Sequence, residues 1–91
     1  MSDAHRPVIR GAIVDARGLN CPVPVIRLAA AAKAAGPHAI LTVVATDPAA
    51  RYDVPAWARL RGHEVLAIDQ DGDELSITVR LGGLPPVTAI S

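Results

Sequence analysis

Two prolines one residue apart, Pro22 and Pro24, constrain this chain more than any other pair of residues. Proline has no amide to give to a sheet ladder. Inside a helix it costs about 3 kcal/mol, because it loses a hydrogen bond and its ring strikes the carbonyl four residues back. The first turn of a helix accepts both, since its amides have no partner within the helix. With Cys21 as the N-cap, Pro22 takes the first helical position and Pro24 the third. The carbonyl that Pro24 would strike then belongs to Asn20, outside the helix. A helix is therefore predicted to begin at residues 21–22. Within it Val25, Ile26, Leu28, Ala29, Ala32 and Ala35 approximate a core-facing stripe, and Gly36-Pro37 supplies the stop.

The segments on either side of that helix read as strands. Before it, the apolar stretch 8–16 favours a strand centred on 11–16. After it, residues 40–46 (ILTVVAT) are β-branched and nearly continuous in apolar side chains, which suits a strand buried on both faces or paired centrally. Asp47-Pro48 opens a turn or short helix. A second start at Asp53-Val54-Pro55 predicts a helix over 55–61, ended by Gly62. Val65, Leu66 and Ile68 form a third strand, and Asp71-Gly72 sits where a tight hairpin is needed. Leu75, Ile77, Val79 and Leu81 alternate with polar residues, the signature of a half-buried strand.

The order βαβαββ predicts an α/β two-layer sandwich: a mixed four-stranded sheet with two helices on one face. The chain of 91 residues has room for one core. It divides into a flexible segment 1–10, a domain over 11–81 and a flexible tail 82–91. Although 51% of the residues are hydrophobic, Ala supplies 17 of them and Tyr52 and Trp57 are the only aromatics, so the core is thin. Net charge is zero and no basic block exceeds Arg59 with Arg61, which leaves no electrostatic footprint for direct nucleic-acid binding. No apolar run reaches the length of a membrane span, and residues 1–10 lack the apolar centre of a signal peptide. A cytoplasmic protein that does not enter a membrane is expected.

Cys21 is the only cysteine, so neither an internal disulfide nor a CxxC pair can form. Three scattered histidines do not complete a zinc set, and no metal is expected. A helix N-terminus carries about half a positive charge, which predicts a lowered thiol pKa and a larger thiolate population at Cys21. Arg17 and Arg27 stand near enough in sequence to add positive potential. A lone cysteine is more often a small buried hydrophobe. Here a polar turn precedes it and the proline pair follows, and on the local pattern the reactive and packed readings stand level.

At these residues the chain resembles a known family. Asp15-Ala16-Arg17-Gly18-Leu19-Asn20-Cys21-Pro22-Val23-Pro24 resembles the opening motif of the TusA (SirA-like) sulfur carriers, whose hallmark is Cys-Pro-x-Pro. Asp47-Pro48-Ala49-Ala50, then Asp53-Val54-Pro55-Ala56-Trp57, and Gly62-His63-Glu64-Val65 extend the likeness over about residues 11–81. The resemblance implies the same βαβαββ sandwich. It also implies that Cys21 accepts sulfane sulfur as a persulfide, with Asp15, Gly18, Leu19, Pro22 and Pro24 supporting the motif and helix start. A sulfur-donor protein (a cysteine desulfurase or rhodanese) and a sulfur-acceptor protein are the implied partners, and no cofactor is implied. Val23 replaces the glutamate that tRNA-thiolation members carry between the prolines, which argues against that relay.

The remaining candidates have structural readings. Asp15 reads as a turn former, Asp47 and Asp53 as N-caps, and His63 as a capping or exposed residue. Trp57 is expected to be largely buried between its helix and the sheet, and Arg51, Arg59 and Arg61 to line a solvated face. Two rivals to sulfur carriage remain: a non-catalytic regulatory or interaction domain in which Cys21 packs, and a single-cysteine thiol redox protein needing an intermolecular partner.

Overall fold

The computed structural model describes residues 12–83. The elements run β1 (Ala12–Ala16), α1 (Val23–Ala35), β2 (Ile40–Ala45), α2 (Ala50–Arg61), β3 (Glu64–Asp71) and β4 (Glu74–Arg80). This is the expected mixed four-stranded sheet with two helices. Residues 8–11 of the expected first strand and 84–91 of the expected tail lie outside the described residues.

The strands are ordered β1-β2-β4-β3. β1 runs parallel to β2, from Ala12 opposite Leu41 to Ala16 opposite Ala45. β4 is antiparallel to both β2 and β3, so it separates two strands that α2 connects, a split βαβ unit. The two-residue turn Gly72-Asp73 joins Asp71 to Glu74, with Gly72 at φ 63°. A bulge falls between Val65 and Ala67.

The alternation in β4 buries Leu75, Ile77 and Val79 on the helix side. β2 alternates as well, burying Leu41, Val43 and Ala45. It is paired centrally, as expected, but buried on one face only; Thr42 on the open face shares a 3.0 Å hydroxyl hydrogen bond with Thr78. The core closes with Pro24 and Leu28 of α1, Ala50, Val54 and Ala58 of α2, and Leu81. Each fully buried Leu, Val or Ile contributes about 1.5–3 kcal/mol relative to exposure.

The helices depart from expectation in three places. Ile26 is 60% exposed and Ala35 is also exposed, so the core stripe of α1 is narrower than its sequence implies. α2 begins at Ala50 and runs through Pro55. Burying Ala50, Val54 and Ala58 along one stripe requires a continuous helix, and that burial offsets the cost of an interior proline. Asp53 therefore lies in the first turn of α2 and is not its N-cap. Trp57 is only partly buried, packed against the core and tilted on His63 with ring centroids 4.9 Å apart.

Candidate functional site

Cys21 lies in the turn between β1 and α1. The Val23 amide donates to the Asn20 carbonyl at 2.9 Å, and the Ile26 amide to the Pro22 carbonyl at 3.0 Å. The helix thus starts one residue later than expected: Pro22 is the N-cap, Cys21 precedes it, and the Cys21–Pro22 peptide is cis. Pro24 falls at the second helical position, buried, where its missing amide is not needed. Pro22 and Val23 face solvent.

Two residues at the end of β2 hold this turn. Thr46 Oγ1 accepts the Gly18 amide at 2.9 Å, and Asp47 Oδ2 accepts the Cys21 amide at 2.7 Å. Asp47 Oδ1 accepts the Ala49 amide at 3.0 Å, so the same carboxylate also steadies the approach to α2. Asp47 is not the N-cap of α2, which is Ala49 with no side-chain cap bond; its carboxylate instead turns the chain ahead of the helix and ties together two segments 26 residues apart. These amides hold its carboxyl below the usual carboxylate range, the Cys21 amide first. The local sequence pointed to a helix cap at Asp47; its bond to Cys21 and the part played by Thr46 carry no local signal.

The other motif residues take structural places around the thiol. Asp15 accepts the Arg17 backbone amide at 3.1 Å and its guanidinium at 2.9 Å through each oxygen. Those bonds lower the Asp15 carboxyl to about 2. Arg17 also reaches Glu74 at 3.4 Å. Gly18 has φ 80°, the left-handed region that favours glycine. Leu19 is half-buried against the core, beside Cys21.

The expected gain in thiolate is not found. Burial, then the Asp53 carboxylate, then that of Asp47 push the Cys21 thiol up to about 11. The helix terminus is a weak counterweight here: the two prolines remove amides, and the Val23 amide is occupied by Asn20. The neighbouring arginines do not help, since Arg17 is bound to Asp15 and Glu74 and Arg27 acts on Asp15. Cys21 is a half-buried free thiol with carboxylates for neighbours.

Far from the thiol, His63 caps the end of α2 by donating its amide to the Ala58 carbonyl at 2.8 Å, and its ring also accepts the Gly82 amide at Nδ1, 2.9 Å away. Burial and Arg61 lower its pKa. Arg51 donates to Gln70 at 2.6 Å, while Arg59 and Arg61 are exposed in the last turn of α2, where cations complement the helix dipole. Among the described residues no helix is long and apolar enough to cross a membrane.

Fold and site together define a small α/β domain that presents one thiol ahead of its first helix. The family model described as Sulfurtransferase TusA matches residues 12–81, and the chain belongs to the TusA family. It is 39% identical over 69 residues to the sulfur carrier protein TusA of Pseudomonas putida, covering 76% of this chain and 86% of that one. It is 37% identical over 70 residues to the putative sulfur carrier protein YrkI of Bacillus subtilis, covering 77% and 93%. Among solved structures, the SirA-like protein of Desulfitobacterium hafniense superposes with a TM-score of 0.69 at 27% identity, covering 77% of this chain and 96% of that one.

Proposed function

We propose that this protein is a sulfur carrier in which Cys21 takes up sulfane sulfur as a persulfide and passes it to a partner protein. One observation carries the reading: the only thiol of a TusA-family chain is partly accessible and sits in a turn held by Asp47 and Thr46. A sulfur-donor protein, a cysteine desulfurase or a rhodanese, loads the thiol, and a sulfur-acceptor protein unloads it. The cytoplasm suits this role, because an unpaired thiol stays reduced there.

Incubation with a cysteine desulfurase and cysteine should add the mass of one sulfur atom to the intact protein, reversibly with reductant. Cys21→Ser should remain folded, because the backbone amide that Asp47 accepts is unchanged, and should gain no mass. Intact-protein mass spectrometry reads both results. A wild-type Cys21 inert to alkylation and to the desulfurase would leave packing as its role. A disulfide-linked dimer in place of the added sulfur would favour thiol redox chemistry.

A further inference from the structure

Among the described residues, Asp47 is the one side chain that bonds both the cysteine turn and the approach to α2, through amides 2.7 and 3.0 Å from its two oxygens. Its backbone bonds fix it beside Cys21, and Asp53 stands six residues further along the chain, in the first turn of α2. The arginines that could neutralise the pair are turned to Asp15, with Arg17 held by both oxygens of that carboxylate and by Glu74. Among the described residues, the sulfur therefore faces negative charge that no cation compensates.

We propose that Asp47 is a positioning residue for sulfur transfer, holding the Cys21 backbone while its carboxylate, with that of Asp53, sets the negative charge that the unloaded sulfur faces. The inference rests on the carrier reading and specifies how the carrier's two states differ. In loading, the Cys21 sulfur loses its proton and attacks the terminal sulfur of the donor's Cys–S–SH. A new S–S bond forms on Cys21 and the donor's S–S bond breaks. The electron pair remains on the donor cysteine, which takes up the proton, so no external oxidant or reductant is consumed. A persulfide is a stronger acid than a thiol, so the loaded carrier ionises where the unloaded one does not. The carboxylates thus quiet the idle thiol and spare the loaded sulfur.

Burial and the two carboxylates together set how far the thiol is slowed, through two opposed trends. A thiol raised from 9.0 to about 11 has roughly 100-fold less thiolate at pH 7. Its thiolate is about 6- to 10-fold more nucleophilic, so the net slowing is roughly tenfold.

The test is the pH profile of Cys21 alkylation by iodoacetamide, a neutral reagent whose approach the carboxylates do not bias. Asp53→Asn should lower the midpoint and speed alkylation several-fold at pH 7, and Asp47→Asn should lower it by less, because burial keeps part of the rise in both variants. Circular dichroism should show the fold retained. The Asp53 side chain makes no backbone hydrogen bond among the described residues, so Asp53→Asn decides the matter if Asp47→Asn unfolds. A midpoint unchanged in folded variants overturns the proposal. A midpoint that shifts while a cysteine desulfurase adds no sulfur to wild type overturns the carrier reading and leaves the electrostatic assignment standing.

Discussion

At the Cys21 end of the helical layer, a hydroxyl and a carboxylate at the end of β2 accept amides from a turn 26 to 28 residues away. At the opposite end a histidine ring does the same work, accepting the Gly82 amide from the residue that follows Leu81. Leu81 itself donates to the Ala39 carbonyl at 2.8 Å. The surroundings are opposite in sign. Asp47 and Asp53 flank the thiol, while Lys33, Arg61 and His63 line one cleft with Trp57 at the far end. One solution to an orphan amide therefore has two chemical consequences. A carboxylate acceptor adds charge that perturbs the sulfur, and an imidazole acceptor adds a bond that a proton can remove.

Leu28→Ala should damage both ends, because Leu28 is wholly buried in the shared core of this thin layer. A loss of about 2–5 kcal/mol is expected in denaturant unfolding, and Cys21 should alkylate faster through the opened fraction. Selective damage at one end would show that the ends are separately supported. Gly82→Ala sharpens the contrast, since a Cβ there would strike the Gly62 carbonyl oxygen. It should cost about 1–3 kcal/mol while leaving the pH midpoint of Cys21 alkylation in place. A moved midpoint would mean that the two ends communicate.

The smallest effect is a pH dependence confined to the far end. The folded-state pKa of His63 lies below its unfolded value, so the fold favours the neutral ring. Its contribution is present above the unfolded pKa of about 6.5 and is lost as pH falls through that value toward the folded one. Below it, protonation removes the Nδ1 acceptor, a hydrogen bond worth about 0.5–1.5 kcal/mol. Unfolding followed between pH 7.5 and 5 should show this decline in wild type and a flatter curve in His63→Phe. Equal slopes would assign the decline to other groups.

What was legible in the sequence was what neighbours along the chain decide. Pro22 and Pro24 located the first helix to within a residue or two, Gly36 and Gly62 ended the helices, and the alternation through Val79 marked β4 and its buried face. Asp53-Val54-Pro55 misled because it has the local form of a helix start, and only the burial of Ala50 against the sheet shows that α2 has already begun. The thiol was misjudged for a related reason. The proline pair points to a helix terminus and its positive potential, but Asp47 and Asp53 reach Cys21 through the fold from residues 26 and 32 positions away. Thr46 and the partnership of His63 with Gly82 were invisible for the same reason: each exists only after β2, α2 and β4 have met.

The position of β4 has a consequence for synthesis. The last strand of the domain is an inner strand, inserted between β2 and β3 and supplying Leu75, Ile77 and Val79 to the core. A nascent chain that ends before Glu74 has two helices and three strands but no partner for β3 and only one for β2. The ribosome therefore extrudes most of this domain before its sheet can close, and Cys21 meets the surrounding solution well before Asp47 is locked against it.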